Sequence, residues 1–102
     1  MDYKAEIVDI ATNILEDRMS VIEGSHELAR FQFGYDLQDN KNLLFFVGIA
    51  SETEYLPVGK EREQWNHKVL AKKDVEIRKI ENYYMKDAKV ACEELIKLFQ
   101  SY

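Results

Sequence analysis

The sequence is poor in residues that interrupt helices and in residues that bind metals. Its 102 residues include one proline, four glycines, one cysteine and two histidines. The single cysteine, Cys92, cannot form an internal disulfide, and its place inside a helical pattern predicts a quiet, partly buried thiol. The chain also lacks a close pair of cysteines and a His-Glu-x-x-His motif. We therefore expect neither a metal nor another cofactor.

Long apolar segments are also missing. The longest uninterrupted apolar run is Leu43 to Val47, whereas a membrane span needs about 20 residues. The first residues lack both the basic region and the apolar stretch of a secretory signal. With 46% apolar and 32% charged residues, the composition is typical of a soluble protein. We expect a single helical domain over residues 1–102, located in the cytoplasm.

Apolar residues at intervals of three and four predict helices with one apolar side. The predicted helical segments are 3–18, 21 to about 34, 43–50, a short turn at 67–72, and 74–100. Ser20 and Glu23 form a capping-box pattern at the start of the second helix, and Gly34 is its expected end. Asn40 and Asp74 are the predicted caps of the third and last helices. The fold class is therefore all-α, an antiparallel bundle of about four helices with a long C-terminal helix.

The segment 43–50 would also suit a buried strand by its length and aromatic content. No other segment shows the period-two alternation of a partner strand, so we interpret it as a deeply buried helix. The predicted core follows from these patterns and consists of Ile7, Ile10, Ile14, Val21, Leu28, Leu44, Phe45, Val47, Trp65, Ile77, Ile80, Tyr84, Ala91, Leu95 and Leu98.

Charge is distributed unevenly along the chain. Residues 1–59 carry a net charge of −7, residues 60–80 carry +3 and residues 81–102 carry −1. Nucleic-acid binding depends on lysines and arginines that neutralise phosphates, so this distribution argues against DNA or RNA and favours a basic protein partner. An acidic surface also serves solubility alone. The basic stretch is predicted to be an exposed helix face paired with Asp74 and Glu76.

The segment 50–65 contains four glutamates, the only proline and the only tryptophan. We expect a rigid acidic loop in which Arg62 reaches Glu52 or Glu23 while Trp65 packs beneath. Tyrosines on such surfaces commonly contribute much of the binding energy for a protein partner. The predicted partner-binding residues are Asp36, Asp39, Glu52, Glu54, Tyr55, Glu61 and Glu63.

Two resemblances add to this interpretation. The series Ser51-Glu52, Leu56-Pro57, Gly59, Arg62 and Trp65, preceded by Ile22-Glu23-Gly24 and Leu28, resembles a family of small bacterial proteins, a likeness that implies no activity. The Ser20-Val21-Ile22-Glu23 cap, followed by Leu28, Arg30, a short loop and a buried helix, is similar to the colicin D immunity protein family. These helical bundles, like the immunity partners of contact-dependent growth inhibition toxins, present acidic side chains to the basic cleft of a toxin.

This second resemblance implies an immunity protein without catalytic activity, whose partner is a basic toxin nuclease domain that cleaves RNA. It implies no nucleic-acid or membrane ligand. The chain departs from that family in its proline-glycine loop and its longer last helix, so the resemblance does not identify the toxin.

Two other functions fit the residues less well. The long helix would suit a scaffold that self-associates, and an enzyme would use the carboxylates with His26. Glu23 and His26 form half of the Glu-x-x-His pairs of di-iron bundles, but the second half is missing. No nucleophile elbow or phosphate-binding loop is found. We therefore do not expect an enzyme.

Overall fold

The computed structural model describes residues 3–33, 37, 39–56 and 59–100, with the backbone alone at 59–61. In chain order, its elements are α1 (Tyr3–Leu15), α2 (Val21–Ala29), α3 (Lys41–Glu52), a 3₁₀ helix (Gly59–Gln64) and α4 (His67–Gln100). They pack as a helical bundle, which confirms the all-α prediction and the long C-terminal helix. Within the described ranges, no helix combines the length and the apolar character needed to cross a membrane.

The first helix buries one side and ends earlier than predicted. Ile7, Ile10, Ala11 and Ile14 are its buried residues. Asp17 adopts a left-handed conformation with φ of 60°, and the Arg18 N–H donates back to the Asn13 carbonyl at 2.8 Å. Because a left-handed residue closes a helix, α1 stops at Leu15 and not at Arg18.

The second helix begins where the sequence predicted. The Ser20 hydroxyl oxygen accepts a hydrogen bond from the Glu23 N–H at 3.0 Å. The helix ends at Ala29, earlier than predicted, because the following N–H groups bond three residues back, as Phe31 does to the Leu28 carbonyl at 3.0 Å. The predicted terminator Gly34 lies outside the described residues.

The third helix is capped by Asn40, as predicted. The Asn40 side-chain oxygen accepts from two backbone N–H groups of the first turn, at 3.0 Å each. The buried side consists of Leu43, Phe46, Ile49 and Ala50. Leu44 was predicted to be in the core but is 40% exposed, because the buried face passes through its neighbour Leu43.

The last helix runs without interruption from residue 67 to residue 100. The predicted restart at Asp74 is wrong, because this residue lies inside α4. The cap is Asn66, whose side-chain oxygen accepts from the Lys68 N–H at 2.8 Å. The buried residues of α4 all belong to its second half and are Ala88, Ala91, Cys92, Leu95 and Phe99.

The core prediction is confirmed for Ile7, Ile10, Ile14, Val21, Leu28, Ala91 and Leu95. Predicted core residues that are only half-buried are Phe45, Val47, Trp65, Ile77, Ile80, Tyr84 and Leu98. The thiol of Cys92 is fully buried and not partly buried, and this burial raises its pKa to about 12. The thiol is therefore protonated at neutral pH.

Candidate functional site

The turn after α3 places acidic and aromatic side chains on a fixed backbone. Thr53 and Leu56 are buried, with 0% and 1% exposure, while Glu52, Glu54 and Tyr55 are exposed. The Leu56 N–H donates to the Thr53 carbonyl at 3.0 Å, and the Thr53 hydroxyl donates to a carbonyl of α3 at 2.7 Å. Because two buried residues anchor the turn, its exposed side chains extend from a rigid base.

His26 connects this turn to α2. Its Nε2 lies 3.0 Å from the Thr53 hydroxyl oxygen. That hydroxyl gives its only hydrogen to the Ile49 carbonyl, so His26 Nε2 must be the donor. The side chain that was considered as a catalytic base thus has a structural hydrogen bond. Among the described residues, no cluster of three or more His, Cys, Asp or Glu side chains is arranged to hold a metal ion.

Tyr55 is held in place although half of its surface is exposed, at 51%. Its hydroxyl donates to the Glu76 carboxylate, and the Lys73 ammonium lies 5.0 Å from the centre of its ring. The hydrogen bond to Glu76 raises the pKa of Tyr55. The same bond, with help from Lys73, lowers the pKa of Glu76. Both effects keep the phenol protonated and the carboxylate ionised at neutral pH.

Glu52, the last residue of α3, is fixed by α4. Its carboxylate accepts a hydrogen bond from the Tyr84 hydroxyl at 2.5 Å, and this bond, with partial burial, raises the pKa of Tyr84 to about 12. The Tyr84 ring packs edge-on against Phe45 and Tyr83, with centroid distances of 5.9 and 4.8 Å. The Glu52 carboxylate is therefore held by an aromatic cluster, and it forms no ion pair with a lysine or arginine in the described part of the chain.

Between these two tyrosine contacts lies an open groove of about 450 Å³, which we call the tyrosine groove. Its walls are Glu52, Tyr55, Lys79, Ile80, Tyr83 and Tyr84. Three aromatic rings beside a carboxylate can receive a planar cationic side chain such as arginine, by stacking and by hydrogen bonding.

A larger groove of about 630 Å³ lies where α1 meets the end of α4. Its polar lining includes Lys4, Asp9 and Thr12, and the Thr12 hydroxyl is bonded to the Val8 carbonyl at 2.7 Å. The tyrosine groove is smaller, but it adjoins the predicted partner-binding residues and has several polar groups fixed by hydrogen bonds. We therefore take the tyrosine groove and the turn after α3 as the candidate site.

Arg62 attaches the 3₁₀ helix to α4. Its two terminal nitrogens donate to the two carboxylate oxygens of Asp74 at 2.7 and 3.0 Å, a partner that the sequence did not predict. These bonds lower the pKa of Asp74 and raise that of Arg62. Because Asp74 lies two residues before Glu76, the 3₁₀ helix and the turn of Tyr55 are held by the same segment of α4.

The structure brings together only part of the predicted site. Glu52, Glu54 and Tyr55 share one turn, and Glu63 directly follows the anchored Arg62. Asp39 precedes α3, so it is separated from Glu52 by the whole helix, about 18 Å at 1.5 Å per residue. Predicted site residues outside the described part of the chain are Asp36 and the side chain of Glu61.

Several acids of the acidic segment are neutralised by the protein itself. Glu16 pairs with Arg18, and Glu27 with Arg30. A third pair joins Asp17 to a lysine of α4, Lys89, at 3.2 Å. The acidic surface is therefore smaller than the charge count along the chain suggested.

The candidate site keeps its negative charge. Glu54 and Glu63 are exposed and form no ion pair with any described residue, and Glu52 is bonded to a neutral phenol. Of these three carboxylates, Glu52 lines the tyrosine groove together with Lys79, Glu54 lies in the turn after α3 and Glu63 lies in the 3₁₀ helix. Among the described residues, none of the three forms an ion pair.

Sequence reasoning missed the contributions of α4 to this site. Tyr83 and Tyr84 are neighbours in the chain, but Tyr83 is 77% exposed and Tyr84 is half-buried. The seven-residue spacing predicted that Tyr84 points inward. No pattern in the sequence indicates the hydrogen bond from the Tyr84 hydroxyl to Glu52 or the one from the Tyr55 hydroxyl to Glu76.

No protein-family model, curated protein or solved structure matches this chain.

Proposed function

We propose that this chain is an immunity protein, a non-catalytic inhibitor that binds and neutralises a basic bacterial toxin in the cytoplasm. The observation that carries the proposal is the surface around the tyrosine groove. Glu52 and Tyr55 are fixed there by hydrogen bonds to Tyr84 and Glu76, while Glu54 and Glu63 remain unpaired among the described residues.

A prearranged surface of this kind favours tight binding. Side chains that are already held in one conformation lose less entropy when a partner docks. Tyrosine buries a large area with few rotatable bonds and is enriched among the residues that dominate interface energies. The carboxylates attract a basic partner over a distance and accelerate its association.

The toxin class follows from the charge of the site. A nuclease that cleaves RNA binds phosphates with lysines and arginines, so its cleft is positively charged. Carboxylates on a rigid surface can occupy that cleft in place of the phosphates. The resemblance to the colicin D immunity protein family supports the same class of partner, a basic toxin nuclease domain.

The alternative of a scaffold that self-associates through α4 receives less support. The exposed side of this helix carries Lys72, Lys79 and Lys86 at seven-residue intervals. Two copies that paired symmetrically through this side would place lysine opposite lysine, which opposes association.

The proposal is tested by reversing charges at the site. An immunity protein is expected to be encoded beside a large secreted protein with a basic C-terminal domain, and that domain serves as the toxin probe. We expect Glu52→Lys, Glu54→Lys and Glu63→Lys together to weaken binding of that domain at least about 100-fold and to abolish protection of cells that express it.

A matched variant with Asp9→Lys, Asp87→Lys and Glu93→Lys changes the net charge equally at exposed positions elsewhere. It should alter binding less than about threefold, apart from a slower association rate. Circular dichroism of both variants reports whether the helices are intact. Full protection by the first variant would refute the proposed site, and failure of the unaltered chain to bind the toxin domain or to protect cells would refute the proposed function.

A further inference from the structure

One exposed side of α4 carries positive charge on a protein whose net charge is −5. We call it the lysine face, and it consists of Lys72, Val75, Lys79, Tyr83, Lys86 and Val90, all exposed. Successive members are three or four residues apart, so they form one row along the helix. From residue 72 to residue 90 the row is about 27 Å long.

Of the lysines on this face, Lys79 adds to the effect of the Tyr55 hydrogen bond and of Lys73 in lowering the pKa of Glu76. Among the described residues, Lys72, Lys79 and Lys86 form no ion pair. The sequence predicted that the basic stretch pairs with Asp74 and Glu76. Lys73 of that stretch does pair with Glu76 at 3.5 Å, whereas Asp74 binds Arg62. No member of the row is acidic, so the row keeps a local charge of three lysines.

The apolar members distinguish this face from an ordinary solvated surface. Val75, Tyr83 and Val90 are 47%, 77% and 51% exposed, and each lies between lysines of the row. Exposed ion pairs alone contribute little binding energy, whereas valines and a tyrosine in line with them add area that a partner can bury. The lysine stems add further apolar cover.

We propose that the lysine face binds an acidic amphipathic helix of about 20 residues that belongs to another protein. The seven-residue interval of Lys72, Lys79 and Lys86 corresponds to about 10.5 Å, the same repeat that glutamates or aspartates show on one side of a helix. Apolar residues beside those acids would cover Val75, Tyr83 and Val90.

Other occupants fit less well. A second copy of this chain offers α1, α2 and α3, of 13, 9 and 12 residues, which are all shorter than the row. Its own α4 carries the same positive face. Nucleic acid would pair its phosphates with the lysines but would leave the valines of the row uncovered.

The test uses two synthetic peptides of 21 residues with the same composition of leucine, glutamate and alanine. In the first, leucines occupy one side of the helix with glutamates beside them, and in the second the same residues are dispersed around it. A single-stranded RNA of 20 nucleotides is the third probe. Fluorescence anisotropy measures binding of each labelled probe to the full chain at low and at higher salt.

We expect the first peptide to bind at least about tenfold more tightly than the second. Lys79→Glu should weaken it at least fivefold, and Val75→Ser with Val90→Ser by a similar factor. Arg30→Glu, a charge reversal at an exposed arginine directly after α2, is the matched control and should change binding less than twofold.

Equal binding of the two peptides, tighter binding of the RNA, or equal effects of Lys79→Glu and Arg30→Glu would each overturn this proposal. Amide chemical shifts of the unaltered chain give a second readout that needs no variant. They should change along residues 72–90 when the first peptide is added. The lysine face shares Lys79 and Tyr83 with the tyrosine groove. The two proposals are therefore separated by their different probes and by Val75→Ser with Val90→Ser, which change the lysine face outside the groove.

Discussion

Glu81 on α4 fixes the start of α2, which lies 60 residues earlier in the chain. Its two carboxylate oxygens accept from the Val21 N–H at 3.0 Å and from the Ile22 N–H at 2.7 Å. The first N–H groups of a helix have no partner within the helix and carry partial positive charge. A carboxylate from another helix therefore stabilises α2 and ties it to α4.

We predict that Glu81→Ala lowers the free energy of unfolding by about 1 to 3 kcal/mol, since two part-buried N–H groups lose a charged acceptor. Glu81→Gln keeps one acceptor oxygen and should lose less. Urea unfolding followed by circular dichroism measures both. Glu93→Ala, an exposed change on the same helix, is the control, and an equal loss there would contradict the role of Glu81.

A second prediction at the scale of one residue concerns Cys92 and the pH dependence of stability. Burial raises the pKa of its thiol from 9.0 to about 12 in the folded protein. Between these values the unfolded chain releases the thiol proton and the folded chain keeps it, so stability falls as pH rises through that window. At most, the slope is about 1.4 kcal/mol per pH unit.

Other groups titrate in the same range, so the measurement compares the unaltered chain with Cys92→Ala at pH 8, 9 and 10. The difference in unfolding free energy between the two should shrink as pH rises. A constant difference would show that the thiol ionises equally in both states. Thiol reagents should also react slowly at pH 8 until the chain is unfolded.

Hydrogen bonds between residues close in sequence could be predicted, whereas those between residues far apart in sequence could not. The bond from Glu23 N–H to the Ser20 hydroxyl joins residues three apart, and a short motif describes it. Glu81 joins its partners only after α4 has packed beside α2. No pattern near residue 81 indicates that contact.

At the scale of whole elements, α1 packs closely against α2 at Gly24. A Cβ atom built there would lie 2.3 Å from Cδ1 and 2.6 Å from Cγ1 of Ile14, which is 1% exposed. Gly48 in α3 is the opposite case, because a Cβ atom there meets nothing within 4 Å.

The two glycines give a matched pair of predictions with opposite signs. Alanine in place of glycine inside a helix is favourable by about 0.5 to 1 kcal/mol, so Gly48→Ala should stabilise the protein by that amount. Gly24→Ala gains the same propensity but overpacks Ile14, and should destabilise by about 1 to 3 kcal/mol. Thermal unfolding measures both, and stabilisation by Gly24→Ala would show that α1 and α2 separate freely.

The sequence predicted that each α-helix exists. It did not predict where α1 and α2 end, where α4 begins, or which face of α3 is buried. Periodicity identified four helices because their apolar positions repeat every three or four residues. The segment around Leu44 is apolar at nearly every position, so its period does not select a face. Packing against α2 and α4 selects the side of Leu43 instead.

Over the whole molecule, the charge count along the chain predicted more acidic surface than the fold leaves exposed. Asp17 and Lys89 are 72 residues apart in sequence and pair in the folded chain. A count along the chain cannot include such a pair. The same count placed a basic segment at 60–80, but only the helical register shows that its free lysines continue in a row to Lys86.

The 34-residue helix α4 also divides the molecule into parts of unequal stability. Its buried side chains all lie from Ala88 onward. The first half is attached mainly by polar contacts at partly exposed positions, such as Arg62 to Asp74. Segments with few buried apolar contacts open more readily than the rest of a protein.

We therefore predict that backbone amides of residues 70–78 exchange with deuterium at least about 100-fold faster than those of residues 88–98. Arg62→Ala removes one attachment and should speed exchange further in the first half alone. Arg30→Ala removes a comparable exposed ion pair from α2 and should leave α4 unchanged. Exchange at one rate in both halves of α4, with an equal effect of Arg62→Ala on each half, would contradict this prediction. It would show that α4 opens as one unit and that its first half is not a separate, weaker attachment for the turn of Tyr55.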